Sequence, residues 1–138
     1  MSINEIQDEI IEEFSDLEWL DRYELIADYG KQYHDFNPAD RTESNLIDGC
    51  QSQVWFTAKL VDGKVIYTGD SDALLVKGIV ALLIHVLSGH EPKEIVNADL
   101  YFIDAIQLRE HLSPTRNNGV NAMLKQMRLY ALALSAKE

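Results

Sequence analysis

Residues 73–87 read ALLVKGIVALLIHVL, an apolar run interrupted only by Lys77, Gly78 and His85. A run this long is helical rather than extended. It is apolar on nearly every side, so the rest of the chain must wrap around it. It is also too short to cross a bilayer. With 138 residues, 46% of them hydrophobic, the chain has the length of one domain and needs no disulfide staples. Gly78 costs about 1 kcal/mol against alanine inside a helix, so its presence predicts a neighbour packed close at that point. His85 on such a helix reads as a hydrogen-bonded core residue.

The flanking segments carry their own signals. Ser2 and Glu5 form a capping box, and Ile3, Ile6, Ile10 and Phe14 follow at helical spacing. Ser15 and Glu18 repeat the box ahead of a second helix, with Trp19, Leu20, Tyr23, Ile26 and Ala27 inward and Gly30 as its stop. So short a join predicts that the two helices fold back on each other. Residues 31–49 show no period and read as a long loop. Alternating Val54, Phe56, Ala58 and Leu60 predict a strand, Asp62-Gly63 a hairpin turn, and 64–68 the return strand. Gly69-Asp70-Ser71-Asp72 offers N-caps for the apolar helix, which should stop near Gly89. Pro92 suits a short helix through Ala98, and 100–112 reads as helix with breaks. Ser113-Pro114 opens a last helix that should turn Val120, Met123, Leu124, Met127, Leu129 and Leu132 to the core. No repeat or inter-domain linker interrupts 1–138, so a single domain is expected.

The formal charge of −11 is uneven. Residues 1–48 hold 14 acidic and 3 basic side chains, and residues 49–138 hold 9 of each. Such a chain repels phosphates, so neither nucleic acid nor an anionic membrane surface is an expected partner. The acidic third is either a solvated face or a surface that steers a basic partner. The first residues lack a basic region ahead of an apolar stretch, so no signal peptide is expected, and a reducing cytoplasmic setting fits the single thiol.

That thiol is Cys50, in Gly49-Cys50-Gln51-Ser52-Gln53 at the edge of the first strand. One cysteine makes no internal disulfide and does not hold a structural zinc or cluster. His34, His85, His90 and His111 form no metal-binding pair, and no glycine-rich loop has phosphate-binding spacing. The abundant carboxylates fit acidic helix faces rather than a glycosidase pair. No cofactor or metal is expected. A cysteine hydrolase requires a histidine, such as His34 or His111, folded against Cys50. The plainer alternative is an inert packing cysteine, but the polar turn around Cys50 also suits a reactive thiol on a mobile loop. Unassisted, such a thiol is only ~3% thiolate at pH 7, so reactivity needs outside help.

The segment Gly49-Cys50-Gln51-Ser52-Gln53-Val54-Trp55 resembles the signature around the acceptor cysteine of the SufE family. Further segments match in order: Gly69-Asp70-Ser71-Asp72 with Val76-Lys77-Gly78, then His111-Leu112-Ser113-Pro114-Thr115-Arg116, then Gly119 with Ala122-Met123. The resemblance implies an α+β fold, a curved antiparallel sheet packed with helices, similar to the IscU-type scaffold but without that scaffold's three cysteines. It implies a sulfur acceptor and activator for a SufS-type, group II cysteine desulfurase in iron–sulfur cluster assembly, not a stand-alone enzyme. Cys50 would take persulfide sulfur and pass it to a SufBCD-like scaffold or, in a CsdE-like branch, toward tRNA modification. Asp48, Gly49, Gln51, Ser52 and Gln53 would form the partner-binding loop, and Asp72 and Arg116 would hold that loop or touch the desulfurase. Without that role, Asp72 is an N-cap and Arg116 a surface cation. In the resting protein, Cys50 is expected to fold back against apolar side chains until a partner draws the loop out.

Overall fold

A computed structural model describes residues 1–137, and its centre is the predicted apolar helix, α3 (Leu74–Leu87). To label the rest, α1 spans Ile3–Phe14, α2 Trp19–Gln32, α4 Pro92–Asn97, α5 Phe102–Ala105 and α6 Pro114–Ser135. All of α3 except Leu74, Lys77 and His85 is buried. Helix α2 crosses it backbone to backbone. A Cβ on Gly78 would stand 2.1 Å from the Ile26 carbonyl oxygen, which explains the glycine. Gly30 is therefore not a stop but the other half of this contact, its own Cβ position 2.8 Å from Gly78 N, and α2 runs on to Gln32.

The first capping box forms as expected, with Ser2 and Glu5 bonding reciprocally. The second does not. Ser15 closes α1 by donating to the Glu12 carbonyl, and Glu18 begins α2 without a side-chain cap. Helices α1 and α2 pack on α3 rather than along one another, so the join turns the chain without making a helical hairpin. Leu20 and Tyr23 are consequently exposed, because α2 turns the face of Ile26, Ala27 and Gly30 toward α3. Gln7, fully buried on α1, donates to the Asp99 carbonyl and accepts from Phe102 N, satisfying its amide and anchoring α5.

Strands β1 (Val54–Val61) and β2 (Lys64–Ser71) form an antiparallel two-stranded sheet, in register from Val54↔Ser71 to Val61↔Lys64. Asp62 and Gly63 both take positive φ, as a tight hairpin turn requires. The return strand continues through Gly69, Asp70 and Ser71, which the sequence suggested as caps. Gly69 passes so close to α3 that a Cβ would meet Val80 at 2.8 Å, and the N-cap of α3 falls on Ala73. Helix α6 closes the other side of the core. Ser113 caps it by accepting from Arg116 N at 3.2 Å, and Tyr67 reaches from β2 to donate to the Met127 carbonyl at 2.5 Å. Its inward stripe is Val120, Met123, Leu124, Met127 and Ala131, and Leu129 and Leu132 fall outside it, exposed.

His85 is also exposed, contrary to the core role its neighbours suggested. The buried histidine is His90, whose ring nitrogens face the Leu87 and Met1 carbonyls. Among the described residues, no helix is long and apolar enough to cross a membrane.

Candidate functional site

The long loop after α2 ends by pairing with β1. Ile47 N donates to the Val54 carbonyl at 2.9 Å, and Leu46 bridges Trp55, so residues 48–53 form a loop with a closed neck. Gly49 holds φ at 90°, in the left-handed region that favours glycine. The outgoing leg is fastened at Gln53. Its carbonyl accepts from Ser71 Oγ at 2.8 Å and Asp72 N at 3.3 Å, and its N–H donates to Asp72 Oδ1 at 3.1 Å. Asp72 is thus no helix cap: it lies between the end of β2 and the N-cap Ala73, and its carboxylate accepts from the Cys50 loop instead.

Asp48, Gly49, Gln51 and Gln53 are exposed, whereas the Cys50 side chain turns inward. Its Sγ lies 3.6 Å from the Gly119 carbonyl, to which the thiol donates. Val76 and Ile79 of α3, Met123 of α6, and Thr115 and Arg116 in the first turn of α6 complete a narrow recess of about 20 Å³. Gln51 and Ser52 line it as well. Burial pushes the Cys50 pKa up, since desolvation disfavours the thiolate. Arg116 is the one cation lining the recess, and among the described residues its guanidinium makes no hydrogen bond or ion pair. No histidine lines it. His111 instead stacks on Trp19, ring centroids 3.7 Å apart, and His34 is exposed on the loop after α2. The thiol–imidazole dyad that a hydrolase needs is therefore not assembled around Cys50. No group of three His, Cys, Asp or Glu side chains able to hold a metal occurs among the described residues.

Each of the four sequence segments, 49–55, 69–78, 111–116 and 119–123, thus brings residues to one thiol or its loop. What the residues alone missed is the anchor beside it. Asp70 is buried in β2, where Arg41 donates to it through Nε and Nη2 at 2.9 and 2.5 Å and Lys77 Nζ stands 3.8 Å away. The available signal was a carboxylate within a strand, obscured by its glycine and serine neighbours. Two wider hollows, about 580 Å³ along α6 and about 670 Å³ beside Tyr29 and His85, share no residue with the recess.

Fold and site together define a small α+β protein that presents one cysteine from a necked loop, its thiol turned into an apolar recess. The sequence matches the family model described as "SufE: Fe-S metabolism associated domain" over residues 8–131, and the chain belongs to the SufE family. An uncharacterized SufE-like protein of Synechocystis is 47% identical over 112 residues, covering 81% of this chain and 70% of that one. A solution structure of a hypothetical protein from Thermus thermophilus has the same fold. Its TM-score is 0.77 at 22% identity, covering 93% of this chain and 94% of that one.

Proposed function

We propose that this chain is a sulfur acceptor for a cysteine desulfurase, with Cys50 as the carrier. The observation that carries this reading is the setting of the thiol: a lone cysteine on a necked loop, sheltered in an apolar recess and without a base of its own. The desulfurase supplies what the resting site lacks, a group that takes the Cys50 proton, along with the persulfide itself. Once the loop 48–53 swings outward, the Cys50 thiolate attacks the terminal sulfur of the desulfurase persulfide. A new S–S bond forms on Cys50 as the old one breaks, and the electron pair leaves with the desulfurase thiolate, so the exchange needs no outside oxidant or reductant. Folding back then shelters the persulfide from oxidants and stray thiols. Removal of sulfur from the desulfurase speeds its turnover, which makes the chain an activator rather than an enzyme in its own right. A SufBCD-like scaffold in the cytoplasm is the downstream acceptor in this reading, and a CsdE-like route to tRNA modification is its variant. The absence of histidine from the recess weighs against the hydrolase.

Mass spectrometry after incubation with a SufS-type desulfurase and cysteine tests the proposal. The expected result is a gain of sulfur on Cys50, lost in Cys50→Ser, together with faster desulfurase turnover. An unmodified Cys50 beside an unstimulated desulfurase would overturn it.

A further inference from the structure

Besides its neck on β1, the Cys50 loop is tied on both sides to three consecutive residues. Ser71 and Asp72 fasten the leg that leaves the loop, through Gln53. Asp70, immediately before them, fastens the segment that enters it, through Arg41. The Arg41 guanidinium also lies over the Trp55 ring, 5.4 Å from its centroid. Trp55 is at once the cross-strand partner of Asp70 and the bridge partner of Leu46, which makes Arg41 part of the loop's neck.

The three charges are unequally placed. The side chain of Asp70 is 5% exposed, against 51% for Arg41 and 31% for Lys77. A buried carboxylate stripped of its only cation is strongly disfavoured, so a pair of this kind does not readily open. Here a second cation stands by: Lys77 Nζ is 3.8 Å from Asp70 Oδ1, while Arg41 occupies Oδ2. Arg41 can therefore be drawn away without stranding Asp70.

We infer that Arg41 is a positioning residue for the sulfur-accepting thiol. Its pair with Asp70 keeps the incoming leg of the loop closed in the free protein. A partner carboxylate that captures the half-exposed guanidinium loosens that leg, leaving it only the Ile47–Val54 neck, and Lys77 takes over Asp70. The inference rests on the acceptor reading for its purpose, but its first test needs no partner.

The test is the rate of Cys50 alkylation by iodoacetamide at fixed pH, measured across a urea series. Arg41→Ala should speed alkylation about fivefold, the scale of one partly exposed charge-assisted contact. Arg41→Lys should fall between it and the parent, since lysine restores charge without the fork. Lys77→Ala should change the rate less than Arg41→Ala does, because the Arg41 pair remains. The Arg41→Ala rate should stay flat at low urea, as local opening does. A rate that instead climbs from the first urea along the global unfolding slope, or one equal to the parent's, would overturn the latch. Should Arg41→Ala fail to fold, Arg41→Met keeps the stem over Trp55 and gives the same reading. With a desulfurase present, Arg41→Ala should raise the apparent KM for the acceptor and leave kcat in place. Absence of sulfur uptake by the parent would remove the acceptor reading and leave the alkylation result standing, so the two failures are distinguishable.

Discussion

Cys50 is held in its neutral form by two features that act together: burial raises its pKa, and the thiol proton is directed at the Gly119 carbonyl. Alkylation consumes thiolate, so its pH profile in the folded protein should have a midpoint above that of the same chain in denaturant. The linked effect on stability has a definite sign. A folded pKa above the unfolded one contributes stability that is full below the unfolded pKa and is lost as pH rises through the folded value. The stability lead of the parent over Cys50→Ala should therefore shrink on the alkaline side of about pH 8.5, the ordinary thiol value. A folded midpoint at or below the unfolded one would contradict this account. The polar turn around Cys50 was legible in the sequence, because Gly49 and Gln51-Ser52-Gln53 are local signals. The recess was not legible from local pattern, since Val76, Ile79, Gly119 and Met123 reach it from distant elements.

Elements follow the same division between local and distant causes. The Ser2 box and the Asp62-Gly63 turn needed only neighbours in sequence, and both formed. Ser15-Glu18 carries the same box pattern, but α1 ends on Ser15 and claims its hydroxyl. Residues 69–71 are turn-forming types kept extended by pairing with β1, so β2 outran its local signals. Leu20, Leu129 and Leu132 are apolar but lie off the faces that meet the core, and period alone does not rank one apolar face over another. Gly78 was readable for a different reason. A glycine in an otherwise strongly apolar helix has to be explained by something touching it. That contact gives a firm prediction. Gly78→Ala gains about 1 kcal/mol of helix propensity, but its Cβ meets the Ile26 carbonyl oxygen at 2.1 Å. Separating α2 from α3 costs about 3 kcal/mol, the upper end for overpacking, so the variant should be less stable by about 2 kcal/mol. Urea unfolding measures it, and an unchanged or higher midpoint would show that the two helices separate freely.

For the molecule as a whole, charge and core divide the chain differently. The core is one contiguous cluster that draws on residues from Ile3 to Ala131, whereas the entire net charge of −11 lies within residues 1–48. Much of it is on α1 and α2, whose inner faces are needed against α3, so the carboxylates are crowded onto the outer faces. Glu9, Glu12, Asp21 and Glu24 are exposed there. Such crowding destabilises the folded state through self-repulsion, and the same field attracts a basic surface on a partner. Salt screens both effects but moves them in opposite directions. Raising ionic strength from about 0.01 M to 0.1 M shortens the screening length from about 30 Å to about 10 Å. The urea midpoint of the free protein should therefore rise with salt, while stimulation of a desulfurase should fall through its apparent KM. Combined replacement of Glu9, Glu12, Asp21 and Glu24 by their amides should flatten both responses without touching the Cys50 recess. If stimulation stays flat with salt while stability rises, the acidic face serves solubility alone and the partner is met elsewhere. If both respond and the amide variant flattens both, the acidic third steers the desulfurase to the thiol.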